Sequence, residues 1–129
     1  MESLNGAITQ RRRVLVVESD TASREAIARY LREAGYSVAQ AANGLEVLER
    51  VSYFTPDVVL LDIQLPVMSG QRFVQALRSD PSLSLTPIVL LSAAEDLPAA
   101  CAALGARGAL AKPVDMDVLL AVLDRVSKG

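Results

Sequence analysis

Carboxylates at Glu18, Asp20 and Asp62, hydroxyls at Ser19 and Ser92, and the ammonium of Lys112 all stand at or just past the end of a short apolar run. Taken singly, such residues cap helices and solvate loops, and their joint occurrence points instead to one polar pocket. Grouped carboxylates hold a hard divalent cation through oxygen; Mg²⁺ typically uses one or two of them together with waters and a phosphoryl group. Lys112 would pair as a point charge with a second phosphoryl oxygen, and the Ser92 hydroxyl would donate a hydrogen bond to a third. Asp62 could then attack phosphorus in line as a nucleophile, giving an acyl phosphate.

Positioning those groups requires strands that end at the same place. The runs Val14 to Val17, Val58 to Leu61, Ile88 to Leu91 and Ala109 to Ala111 are continuously apolar, as strands buried on both faces are. A fifth, Ser37 to Ala41, is more polar and suits a position nearer a sheet edge. Between them lie segments with helical spacing. The first carries Ala22, Ala26, Ile27, Tyr30, Leu31 and Ala34 and is stopped by Gly35, and the second runs from about Leu45 to Tyr53 with Leu45, Val47, Leu48 and Val51 apolar. The third carries Phe73, Val74 and Leu77 and ends near Asp80-Pro81, and the fourth has Pro98 in its first turn, with Leu97, Ala100, Cys101 and Leu104 before Gly105. A fifth begins at Asp115 as N-cap and packs Val118, Leu119, Val122, Leu123 and Val126. Five strand and helix alternations predict an α/β fold, a doubly wound (βα)5 parallel sheet with helices on both faces. Ligands of such sheets bind at the carboxyl ends of the strands, where the candidate residues lie.

Composition narrows the chemistry further. The 129 residues fit one domain, and 51% hydrophobic with 22% charged residues rules out global disorder. With no His and only Cys101, the chain lacks zinc fingers, a disulfide framework and every nucleophile system that needs imidazole. A formal charge of −2 gives no positive field for a phosphate backbone, so nucleic acid is not an expected partner. No apolar stretch is long enough to span a membrane, and the N-terminus lacks a signal-peptide core, which predicts a cytoplasmic protein with no membrane partner. Residues 1–12 read as a flexible tail and 13–129 as the domain, with Arg11 to Arg13 a solvated basic cluster.

The strings RVLVVESD, PDVVLLDIQLPVMSG, PIVLLSA and ALAKPVD resemble the receiver domain of bacterial two-component response regulators, of the single-domain, chemotaxis-regulator type. The resemblance covers about residues 13 to 127 and is most specific from Pro56 through Gly70, including the turn from Leu65-Pro66 to Gly70. It implies strand order 2-1-3-4-5, and Asp62 as an acceptor phosphorylated from a histidine kinase or histidine phosphotransfer protein with Mg²⁺. It also implies Lys112 as the active-site lysine before a cis Lys-Pro junction, Ser92 as a switch hydroxyl, Glu18 as one acidic metal ligand, and the Gln64 backbone carbonyl as another ligand. Only self-catalysed phosphotransfer and dephosphorylation are implied, not turnover of an external substrate. A kinase-contacting surface is expected around the first helix and the loop after the fifth strand. A downstream protein or a second copy is expected on the fourth helix, fifth strand and fifth helix.

Two departures matter. The second acid of the family's pair is replaced by Ser19, with Asp20 one step further on. Asp20 is read first as the helix cap and second as a metal contact, direct or through water. Since unit charges about 4 Å apart interact by roughly 4 kcal/mol at an effective dielectric of about 20, weakened Mg²⁺ binding is expected. Three residues before Lys112, the family's aromatic switch residue is Ala109, so a signal would have to travel by loop and helix shifts. The leading expectation is a stand-alone phosphorylation-controlled binding module; the alternative is a degenerate receiver acting as a phosphorylation-independent scaffold. A haloacid dehalogenase type phosphatase would need an Asp where Gln64 stands, and a flavodoxin relative would want a hydroxyl-rich phosphate loop in place of the acidic ESDTAS.

Overall fold

The apolar runs become strands because a parallel sheet covered on both faces buries every side chain, at about 1.5 to 3 kcal/mol for each Val or Leu. A computed structural model of the protein describes residues 12–64, 67–93, 95 and 97–128, with the side chains of Arg50, Val51, Ser52 and Lys128 outside that description. The expected turn at Leu65-Pro66, the tail up to Arg11, and the packing of Val51 lie outside the described residues. In chain order the elements are β1 (Arg13–Val17), α1 (Thr21–Glu33), β2 (Ser37–Ala41), α2 (Gly44–Phe54), β3 (Val58–Asp62), α3 (Gly70–Ser79), β4 (Ile88–Ser92), α4 (Leu97–Leu104), β5 (Gly108–Ala111) and α5 (Met116–Lys128). The strands lie in the order β2-β1-β3-β4-β5, and every pairing is parallel.

Alternation along each strand divides the core in two. Leu15, Val17, Val59, Leu61, Ile88 and Leu90 pack with Val47 of α2 and Phe73, Val74 and Leu77 of α3. Val14, Val16, Val58, Leu60, Val89 and Leu91 pack on the other face with Ile27 and Leu31 of α1 and Leu119, Leu123 and Val126 of α5. Arg12 and Arg13, expected to be solvated, are engaged: Arg12 Nη1 donates to Ser127 Oγ at 2.8 Å, and Arg13 Nη1 donates to the Phe54 carbonyl at 3.0 Å.

Several local expectations need correction. β5 takes the edge that the expected strand order gives it, but its run is not buried on both faces, Leu110 being its one buried residue; its apolar look comes from alanine, which tolerates half-exposed positions as well as buried ones. Ala22, Ala26, Leu45 and Val118 face solvent, while α1 buries Ala28 beside Ile27 and Leu31. The buried stripe of each helix is narrower than its apolar residues suggest, because one face of one sheet covers only part of its circumference. Gly35 follows α1 at φ +101, a left-handed conformation that glycine adopts without steric cost. Gly108 permits a close approach of α5, since a Cβ there would meet Val122 Cγ1 at 3.0 Å.

Candidate functional site

Side-chain parity brings the site together. Glu18 continues the alternation of Val14 and Val16, Asp62 that of Val58 and Leu60, and Lys112 that of Leu110, so all three project toward the α1/α5 side. Lys112 Nζ lies 2.9 Å from Asp62 Oδ2 and 3.0 Å from Glu18 Oε1. Lys112 and Asp62 are 50 positions apart in the chain. Both carboxylates are nearly inaccessible, Glu18 at 1% and Asp62 at 4% exposure. One ammonium between two carboxylates leaves a negative charge uncompensated, a setting that favours a further cation.

The backbone fixes each group. Asp62 and Ser92 are themselves the last paired residues of β3 and β4, opposite Leu91 and Ala111. Beyond the ladder, Glu18 N donates to Ala41 O at 3.1 Å, Ile63 N to Leu91 O at 3.2 Å, and Lys112 N to Ser92 O at 2.9 Å. The Lys112-Pro113 bond is cis. Asp62 Oδ1 accepts from Gln64 N at 2.9 Å, and Glu18 Oε2 accepts from Asp20 N at 3.0 Å. Burial would lower the Lys112 pKa, but hydrogen bonds and charge from Asp62 and Glu18 outweigh it and raise the value above its ordinary 10.5.

The side chains of the remaining predicted residues make other arrangements. Ser92 has the opposite parity; its Oγ is buried and finds no hydrogen-bond partner among the described residues. Ser19 is exposed. Asp20 is the N-cap of α1, its Oδ2 accepting from Ser23 N at 2.9 Å, and that bond first, with the charges of Lys112 and Arg24 further down, lowers its pKa below 3.8. Arg24 did not emerge from sequence reasoning, yet its Nη1 donates to the Glu18 carbonyl at 2.9 Å and its Nε to Gln40 Oε1 at 3.3 Å. An Arg in a first helical turn carries no signal of a contact reaching a neighbouring strand.

The donor set suits a hard cation of the Mg²⁺ kind. Glu18 and Asp62 offer carboxylate oxygens to it, and the Ser92 hydroxyl is a buried polar group without a partner among the described residues. Among the described residues no group of three or more acidic, His or Cys side chains forms a ready-made metal cluster.

Residues 14–124 match the family model described as "Response regulator receiver domain". The chain belongs to the response regulator receiver family. The receiver is 38% identical over 119 residues to the DNA-binding transcriptional regulator NtrC of Escherichia coli (strain K12), covering 90% of this chain and 25% of that protein. It is also 38% identical over 111 residues to the response regulator MprA of Mycobacterium sp. (strain KMS), covering 84% of this chain and 47% of that one. The receiver thus spans a quarter to about half of these relatives. Among solved structures, the chemotaxis response regulator CheY4 of Vibrio cholerae superposes with a TM-score of 0.83 at 34% identity, over 91% of this chain and 99% of that one. The receiver domain of a sensor histidine kinase of Pseudomonas aeruginosa PAO1, whose structure has a magnesium ion coordinated in the active-site cleft, gives 0.84 at 26% identity over 93% and 100%. Among the described residues, no helix is long and apolar enough to cross a membrane.

Proposed function

We propose that this receiver takes a phosphoryl group on Asp62 and passes the change on through altered protein contacts. The observation that carries the reading is the Asp62, Lys112 and Glu18 trio, joined within 3.0 Å at the carboxyl end of the sheet, with Ser92, whose hydroxyl is buried and unpartnered among the described residues, at the end of the neighbouring strand. Asp62 supplies the attacking oxygen; its bond to phosphorus forms as the bond from phosphorus to the donor atom breaks, and the electron pair leaves with the donor. Lys112 neutralises one phosphoryl oxygen, and Ser92 donates its proton in a hydrogen bond to another. Mg²⁺, when bound, would offset the charge of the transferring group, held by Glu18, Asp62 and the Gln64 carbonyl.

The donor by family resemblance is a phosphohistidine on a kinase or phosphotransfer protein. A groove of about 220 Å³ supports a docking face beside the site, walled by Ser23, Ala26, Ile27, Pro113, Val114 and Met116 with Glu18 and Lys112 at its margin. For the downstream partner or second copy, the exposed small residues Ala99, Ala102 and Ala103 of α4 and Ala121 of α5 support the α4, β5 and α5 face. The test is incubation with acetyl phosphate or phosphoramidate and Mg²⁺ followed by intact-mass measurement. A phosphoryl adduct is expected in the native protein and absent in Asp62→Asn; no Asp62-dependent adduct would remove the proposal.

A further inference from the structure

We infer that Arg24 is a positioning residue: its guanidinium clamps the Glu18 carbonyl to strand β2 and thereby sets the aim of the Glu18 carboxylate at the bound cation. The inference rests on the cation site proposed above and assigns a supporting residue to it. Glu18 stands one residue past the paired segment of β1, whose register with β2 and β3 ends at Val17. Its amide still reaches Ala41 O, but its carbonyl has left the ladder and accepts from Arg24 Nη1 at 2.9 Å. The same guanidinium donates through Nε to Gln40 Oε1 at 3.3 Å, and Gln40 is held in β2 opposite Val16. Arg24 N in turn donates to Asp20 O at 2.9 Å. One residue therefore ties both ends of the Glu18-Ser19-Asp20 loop.

The clamp has particular weight in this chain. Ser19 carries no charge and Asp20 turns its carboxylate back to Ser23, so of the loop's side chains Glu18 is the one set against Lys112. A site with one loop carboxylate in contact with the lysine depends strongly on where that carboxylate points, and groups that orient metal ligands typically govern affinity by about 10- to 100-fold. Arg24 also acts as a charge: it is felt at Asp20, and as a cation it opposes a divalent ion nearby. Charge and positioning therefore push metal affinity in opposite directions, which makes them separable.

The experiment titrates Mg²⁺ into the native protein, Arg24→Lys, Arg24→Gln and Gln40→Leu, following amide chemical shifts by NMR and confirming the fold from the same spectra. Lysine keeps the charge but lacks the planar fork that bridges two acceptors. Arg24→Lys is expected to bind Mg²⁺ roughly five- to tenfold more weakly than the native protein, and Gln40→Leu, which keeps Arg24 but removes its second anchor, a few-fold more weakly. Unchanged affinity in folded Arg24→Lys, or tighter binding in Arg24→Gln with Arg24→Lys unchanged, would show a charge effect alone and overturn the inference. Should Arg24→Lys not fold, unchanged affinity in Gln40→Leu overturns it equally. If the native protein shows no saturable Mg²⁺ response that Asp62→Asn removes, the cation site itself is refuted and the positioning role goes with it, an outcome distinct from variants that match a binding native protein.

Discussion

Replacing Lys112 with Met tests the trio most directly, because it keeps the apolar stem and removes the one cation between two buried carboxylates. Each carboxylate oxygen lies within 3.0 Å of the same Nζ, so the two are at most about 6 Å apart. At that separation two unit charges repel by about 3 kcal/mol at an effective dielectric of about 20. The Lys112 side chain is 37% exposed, so water entering at its head screens part of this. A net destabilisation of about 1 to 2 kcal/mol is therefore expected. The assay is urea unfolding near neutral pH, once with a chelator and once with about 10 mM Mg²⁺. In chelator the midpoint of Lys112→Met should fall without a change in slope. Magnesium should recover most of the deficit and stabilise the variant more than the native protein, since the ion takes the place of the ammonium; recovering about 1 kcal/mol needs a concentration roughly five times the dissociation constant. A variant as stable as the native protein in chelator, or one that gains no more from magnesium than the native protein does, would refute the reasoning.

Three further outcomes are expected. Ser19→Asp places a carboxylate at an exposed position, where about 6 Å from a divalent ion in water-like dielectric it contributes about 1.4 kcal/mol; titration should show Mg²⁺ binding roughly tenfold tighter. Asp20→Ala removes the α1 cap and should lower stability in urea. Because the Ser23 bond depresses the Asp20 pKa below 3.8, its contribution is complete above that value, and the gap between variant and native protein should close as pH falls through the folded-state value. The Tyr30 hydroxyl donates to Asp117 Oδ1 at 3.0 Å, which foremost raises its pKa above 10.0. Its contribution is thus present below pH 10 and lost as pH rises through the folded value; burial raises the Tyr36 pKa as well, so phenolate absorbance in the native protein should contain a late-titrating component that Tyr30→Phe reduces by one tyrosine.

Much of this site was legible because it sits where two simple periodicities end. Continuous apolar runs marked the strands, and the residues that broke them, Asp62 and Ser92 among others, marked the ends. Counting by twos back from those residues separates Glu18, Asp62 and Lys112 from Ser92, a distinction the sequence contains and the alternation of strand faces makes usable. The partial exposure of β5 was hidden because alanine fits buried and half-exposed positions alike. Contacts made by long polar side chains were not legible at all. Arg24 reaches across to β2, and Arg78, at the end of α3, donates to the carbonyls of Leu83 and Thr86 at 3.3 and 2.7 Å; in sequence both look like ordinary basic residues on helices. Such bonds depend on how elements sit against each other, which local spacing does not encode.

The all-parallel register bears on how the chain reaches this state. Parallel neighbours cannot be joined by a tight hairpin, so each pairing must first close a loop that contains at least a helix. Val14 meets Val58 only after two helices and a strand have been accommodated, and such distant closures slow folding. Glu18 and Lys112 come from near opposite ends of the described chain and touch only once β5 has joined the sheet. A truncated copy lacking β5 and α5 would keep Asp62 yet forfeit its Lys112 partner, so the ion pair between them doubles as a readout of complete assembly.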